Sequence, residues 1–162
     1  MSELTPITGE FEADGKVELL TEQAFTELFG ESFDVREITE NVRIAKDVTQ
    51  LRDGKGGIAV RAVARQGVRH TTEWIVTTDI IIEIRASLDK STERIKSLLA
   101  IIRDILSQDD IVTLLNEPAR GIVFHEDNPQ EMNSFDDTDE EEKIRRMVLQ
   151  MDWALYVGYE TQ

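Results

Sequence analysis

Three segments of this chain alternate apolar with polar residues, and this alternation constrains the fold more than any other feature of the sequence. In residues 58–65, 74–88 and 146–159 nearly every second side chain is apolar, as expected for strands with one buried face. The clearest alternating sets are Trp74, Val76, Ile80, Ile82 and Ile84, and later Met147, Leu149, Met151, Trp153, Leu155, Val157 and Tyr159. The last of these strands must pair inside a sheet, because an unpaired apolar strand invites aggregation.

The first two segments are joined by a short connection that contains Gly67, which predicts an antiparallel β-hairpin. The second strand is much longer than the usual five or six residues, so we expect part of the hairpin to project beyond the core. The glycine-rich residues 53–57 before it predict a turn. They lack the Lys-Ser/Thr ending of a phosphate-binding loop, and a strand follows them where that loop needs a helix.

Helical patterns flank the hairpin. Residues 21–30 predict a short helix, with Thr21 as its N-cap and Gly30 just past its end. Residues 89–106 carry the clearest apolar stripe, and residues 109–116 predict a shorter helix closed by Pro118. Residues 33–52 fit either a helix or the start of a strand.

The remaining segments predict less regular structure. Residues 1–20 contain Pro6, Gly9 and Gly15, which predicts an extended or mobile arm. A short strand over 120–124 and an exposed acidic loop over 126–142 precede the closing strand. We therefore expect one α+β domain over residues 21–162, with a mostly antiparallel sheet, a long projecting β-hairpin and helices packed on one sheet face.

Composition excludes several classes of protein. The chain has 162 residues, no cysteine and a formal charge of −15. The lack of cysteine excludes disulfides, thiolate nucleophiles and cysteine-ligated metals, and the acidic surplus argues against binding the nucleic-acid backbone. The apolar runs are too short to span a membrane, and the first residues do not form a signal peptide. These features fit an intracellular protein or a particle assembled inside a cell.

The charge is divided into blocks. Residues 1–40 carry −9, residues 41–106 carry +4 and residues 107–162 carry −10. Such blocks are typical of a surface that is solvated for solubility, or of copies that pair through complementary patches. For the second case we predict a subunit or partner interface formed by Arg61, Arg65, Arg69, Asp136, Asp137, Asp139 and Glu140.

No catalytic, cofactor-binding or metal site is predicted. His70 and His125 have no partner at ligand spacing, so a surface or structural role is favoured for both. No serine lies in a nucleophile elbow, and the chain has no recognisable triad. The oxygen-rich residues 127–139 lack the glycine and the spacing of a calcium loop. Trp74 and Trp153 are predicted to belong to the core or an interface.

The order of elements resembles the tail terminator, or tail completion, proteins of tailed bacteriophages. The resemblance covers roughly residues 58–160. It lies in the long strand 72–88, the helix 89–106, a short strand, the acidic loop and the closing strand 145–159. It includes the closing phrase Met147-Val148-Leu149-Gln150-Met151-Asp152-Trp153-Ala154-Leu155-Tyr156-Val157. The first 57 residues are longer than that pattern requires.

The resemblance implies a structural protein and not an enzyme. Subunits of that family form a ring, usually a hexamer, which caps the tail tube and joins it to the head. It implies a homo-oligomer with the tail tube and the head-completion or neck proteins as partners. Genomic DNA would pass through without specific binding, and the location would be the virion tail or neck after assembly in the host cytoplasm.

Two other functions stay open from the residues alone. One is an intracellular α+β binding or regulatory module for a protein or a small ligand. The other is a metal-dependent hydrolase that uses the carboxylates of residues 127–139.

Overall fold

The structure is a computed structural model that describes residues 10–36, 43–53, 56–67, 73–85, 88–126, 132–139 and 144–157. It is an α+β fold, as predicted, with three helices and one five-stranded sheet. The elements are α1 (Glu10–Val35), a 3₁₀ helix (Val48–Asp53), β1 (Gly57–Gly67), β2 (Glu73–Arg85), α2 (Leu88–Leu106), α3 (Ile111–Asn116), β3 (Ile122–Phe124), β4 (Asn133–Asp136) and β5 (Ile144–Val157).

β5 is the centre of the sheet. β2 pairs with it antiparallel along one side, from Glu73↔Tyr156 to Arg85↔Ile144. β3 and β4 pair with the two ends of its other side, and β1 pairs with β2 to form the outer edge. The predicted hairpin is therefore present as β1–β2. The described part of β2 lies within the sheet, whereas the connection at 68–72 lies outside the described residues, so projection of that tip stays a prediction.

Helix α1 corrects three predictions. The expected arm at 1–20 is wrong for residues 10–20, which are helical, and residues 1–9 lie outside the described residues. Thr21 is not an N-cap: it is buried inside the helix and donates a hydrogen bond to the carbonyl oxygen of Val17 at 2.8 Å. Gly30 does not end the helix, which continues to Val35. Burial at helical spacing stabilises α1 despite its glycines, through Val17, Ala24, Phe25, Leu28, Phe29 and Phe33.

The helices pack on one face of the sheet, called here the inner face, as predicted. α1 lies against β1, and α2 lies against β2 and β5. At the centre of this layer the ring of Phe25 contacts Trp153 and Phe124, with centroids 5.4 and 5.7 Å apart. Each such aromatic side chain contributes about 1.5–3 kcal/mol by burial. Trp153 is thus a core residue, as predicted, and Trp74 packs partly buried against the same core.

The ambiguous residues 33–52 end α1 and then form the start of a second layer. The backbone of Arg43 and Ala45 bonds to Ile58, so this segment runs parallel to the start of β1. The glycine-rich turn has the positive φ angles expected of it at Gly56 and Gly57. A side chain at Gly57 would lie 2.7 Å from the carbonyl oxygen of Arg43, so the close approach requires glycine.

The acidic loop predicted over 126–142 is not wholly a loop. Residues 133–136 form β4, which pairs with β5 from Asn133↔Gln150 to Asp136↔Met147. All four β4 side chains are exposed, so the strand is held by its backbone pairing and carries no apolar alternation. Residues 127–131 and 140–143 lie outside the described residues.

Candidate interaction surface

The face of the sheet opposite the helices, called here the outer face, carries the side chains that the core does not use. Alternation places Ala59, Arg61 and Val63 of β1 on this face, beside Ile75, Thr77, Asp79, Ile81 and Glu83 of β2. The face has two parts. One is covered by the chain itself and the other is not.

The covered part lies under the segment that carries the 3₁₀ helix. Ala45 and Leu51 of that segment pack against Ala59, Ile81 and Val148 in a second, small apolar cluster. This cluster is separate from the main core, because the sheet lies between the two. It fixes the 3₁₀ segment on the outer face, and that segment covers the apolar side chains at this end of the sheet.

Two acidic side chains are buried beside this cluster. Asp79 is 5% exposed and Glu83 is 3% exposed. The carboxylate of Asp79 accepts hydrogen bonds from Arg61 at 2.6 Å and from the side-chain amide of Gln150 at 2.9 Å. Glu83 Oε1 lies 3.5 Å from Nη2 of Arg146, its counterpart across the β2–β5 ladder. Each buried charge is therefore balanced by a residue on a neighbouring strand.

A cavity of about 480 Å³ opens above these charges. Its walls include Leu51, Glu83, Phe135, Asp137 and Arg146. The second guanidinium nitrogen of Arg146 lies 3.3 Å from Asp137, the residue that follows β4, so the end of β4 is also held to β5 by an ion pair. The cavity combines apolar walls with groups of both charges, which suits a small ligand that carries polar groups.

The predicted interface residues are engaged within the single chain wherever their side chains are described. Arg61 pairs with Asp79, Asp137 pairs with Arg146, and Asp136 lies 4.0 Å from Arg145. The Thr138 hydroxyl and amide hold the pKa of Asp136 below its ordinary value.

The other members of that set do not form one patch in the described structure. Asp139 exchanges backbone hydrogen bonds with Ile144. Arg65 lies in β1 at the bulge between Ala64 and Gln66, and Arg69 and Glu140 lie outside the described residues. The structure brings Arg61 and Asp137 together at the cavity, and the interface role of the set stays a prediction.

The uncovered part of the outer face is apolar. Val63, Ile75, Val123 and Tyr156, called here the open face, are each 40–48% exposed. They come from four neighbouring strands, β1, β2, β3 and β5. Tyr156 lies directly opposite Val123 and diagonal to Ile75, which is in turn diagonal to Val63, so the four form one continuous stripe.

His125 belongs to the same end of the sheet. Its ring stacks on Tyr156 with centroids 3.8 Å apart, and its Nε2 lies 3.8 Å from Glu73. The surface or structural role predicted for His125 stays a prediction. His70 lies outside the described residues.

The edge of the sheet at β1 is closed by α1. Glu22 accepts a hydrogen bond from the backbone amide of Ala62 at 2.9 Å, and Glu18 accepts one from Ala64 at 2.8 Å. Burial raises the pKa of Glu22, and the bond from Ala62 offsets part of that effect. Two amides that would otherwise attract another strand are thereby satisfied.

Sequence reasoning missed the buried acids and the open face. A signal for the acids was present, since Asp79 and Glu83 interrupt an apolar strand and Arg61 lies on the strand predicted to pair with it. No partner was predicted for the strand of Arg146, so its contact with Glu83 had no such signal. The open face had no comparable signal, because alternation does not indicate which part of a face the rest of the chain covers.

Within the described residues, no group of three or more histidine or acidic side chains is placed to hold a metal ion. None of the helices there is long and apolar enough to cross a membrane. No protein-family model, curated protein or solved structure matches this chain.

Proposed function

We propose that this chain is a structural subunit of a phage tail, a ring-forming tail terminator that caps the tail tube and joins it to the head. The observation that carries the proposal is the open face. A continuous apolar stripe across four strands is the kind of exposed surface that often serves as an interaction site. On the other part of the same sheet face, the segment that carries the 3₁₀ helix covers the apolar side chains.

The electrostatics also support this proposal. The described acids Asp79, Glu83 and Asp137 are balanced inside the chain, so a folded subunit does not need a neighbour to satisfy them. The net charge of −15 repels a phosphate backbone, which suits a channel through which DNA slides without specific binding. In this role the protein is a homo-oligomer of the virion, usually a hexamer in that family, and needs no cofactor or catalytic group.

Electron microscopy of the purified protein, alone and mixed with tail tubes of the phage that encodes it, tests the proposal. We expect a ring at one end of the tube. Ile75→Glu on the open face should abolish the ring, because it places a charge in the apolar stripe. Leu19→Glu is the matched control, because Leu19 is 46% exposed on α1 and does not belong to the open face. Light scattering that shows only monomer at every concentration, with and without tubes, would refute the proposal.

A second candidate function is an intracellular binding module for a small ligand, and the cavity beside Glu83 and Arg146 favours it. Native mass spectrometry of gently purified protein tests this function, with a bound metabolite as the supporting result. Phe135→Trp, which narrows the cavity, should release that metabolite, whereas Leu19→Trp should not. A spectrum of the bare chain under all purification conditions would eliminate this candidate.

A further inference from the structure

The open face and the outward side of α2 lie on opposite sides of the molecule. We propose that the open face of one subunit binds the outward side of α2 on a second copy of this chain. The inference rests on the proposed ring function and names the two surfaces that pair within it.

The outward side of α2 has a shallow depression. Leu99, Ala100 and Arg103 help to line a depression of about 460 Å³ on it. Ala100 is exposed, and Ser107 also lies at the depression. Ala100 and Ser107 are the small residues of this lining, and they leave room for side chains of a second surface.

The charges of the two surfaces are complementary. The exposed charged groups on the outward side of α2 are Glu93, Lys96, Arg103 and Asp104. Because Arg36 pairs with Asp104 at 2.5 Å, positive groups outnumber negative ones there by one, in a chain of charge −15. Lys96 forms no ion pair with a described residue and is exposed there. The acids Glu73 and Asp152 are exposed at the open-face end of the outer sheet surface, and the nearby cation Arg61 is already paired with Asp79. Attraction between these groups favours the pairing and fixes its orientation.

The position of the two surfaces determines the kind of assembly. α2 covers the two central strands, β2 and β5, from the inner face, while Ile75 and Tyr156 of the same strands project from the outer face. A contact between opposite sides of identical subunits is head-to-tail, and repetition of it gives a closed ring or a filament. Pairing of two open faces would instead give a closed dimer to which no further subunit could be added through the same surface.

Cross-linking tests the pairing directly, because the chain has no cysteine of its own. We would prepare Ile75→Cys, Ala100→Cys and Leu19→Cys as separate proteins, mix them in pairs and add a short bismaleimide. The Ile75→Cys and Ala100→Cys mixture should give heterodimers at least ~10-fold faster than the Leu19→Cys and Ala100→Cys control, because docking raises the effective concentration of the thiols. Lys96→Glu in the Ala100→Cys protein should lower that rate, and Glu73→Lys in its partner should restore it.

Three other outcomes overturn the inference, and a fourth overturns only the proposed function. Ile75→Cys alone giving homodimers as fast as the mixture would mean that two open faces pair. A mixture no faster than the control would mean that the open face does not bind α2. Rings on tail tubes without this cross-link would leave the proposed function standing and refute only the surfaces named here. The cross-link without rings on tubes would refute the proposed function and leave the pairing of the two surfaces standing.

Discussion

Glu83 is nearly inaccessible to solvent, and Arg146 is the cation that balances it, so Arg146→Ala is expected to destabilise the fold substantially. The substitution leaves a 3% exposed carboxylate on the outer face without the one cation that pairs with it among the described residues. Asp137, the second partner of Arg146, is 59% exposed and can be solvated by water. The cost therefore comes mainly from Glu83.

The magnitude follows from burial and distance. Removal of one partner of a fully buried ion pair costs roughly 3–5 kcal/mol. Here the Arg146 side chain is 29% exposed and the closest approach is 3.5 Å, so solvent screens part of the interaction. We expect a loss of about 2 kcal/mol in the free energy of unfolding.

Arg36→Ala is the matched control. Arg36 makes a shorter contact, 2.5 Å, with Asp104, which is 67% exposed. Since exposed ion pairs contribute little, this variant should lose less than about 1 kcal/mol despite the shorter distance. Urea unfolding followed by the fluorescence of the buried Trp153 measures both variants.

A double variant separates charge from packing. Arg146→Ala combined with Glu83→Gln removes the unbalanced charge, so it should recover more than half of the loss caused by Arg146→Ala alone. If Arg36→Ala costs as much as Arg146→Ala, or if the double variant recovers nothing, burial of the Glu83 carboxylate is not the origin of the effect.

Three further predictions concern single side chains. Because burial raises the pKa of Glu22, its ionised form lowers stability once the pH exceeds the folded pKa. Glu22→Gln should therefore have a higher urea midpoint than wild type at pH 7. This difference in midpoint should vanish as the pH falls to 4.5 and below, and an equal difference at both pH values would contradict the prediction. Gly30→Ala should stabilise α1 by roughly 0.5–1 kcal/mol, whereas Gly57→Ala should cost about 2–3 kcal/mol, and thermal melts that show the same sign for both would refute this contrast. Thr138→Val should raise the pKa of Asp136 toward its ordinary 3.8, which an NMR titration measures, and an unchanged titration would remove Thr138 as the cause.

The strands and α2 were predictable because each carries a complete periodic pattern. Alternation in β2 and β5 identified their buried faces, and the observed bounds differ from the predicted ones by a few residues. The extent of α1 was not predictable in this way, since Gly15 and Gly30 interrupt its propensity and its stability comes from burial against the sheet. β4 escaped notice because backbone pairing holds it and none of its side chains is buried.

The candidate site was less predictable than the fold. Arg61 and Asp137 were predicted as interface residues, and in the structure they pair within the chain, with Asp79 and Arg146, so the interface role stays a prediction. Their partners, however, depend on the register of β1, β2 and β5, which composition does not specify. The open face depends on where the 3₁₀ segment ends its coverage of the sheet, and this is a property of tertiary packing alone.

The central position of β5 has a consequence for the order of folding. β5 follows all other described elements in the chain, yet β2, β3 and β4 all pair with it. The hairpin β1–β2 is local and can form early, whereas α1 finds Trp153, its main aromatic partner, only when the far end of the chain arrives. During synthesis the edge of the apolar strand β2 that pairs with β5 therefore stays unpaired until β5 has been made. A chain interrupted before β5 lacks the central strand of its sheet, and not merely an edge strand. Such fragments should therefore aggregate instead of folding to a smaller domain.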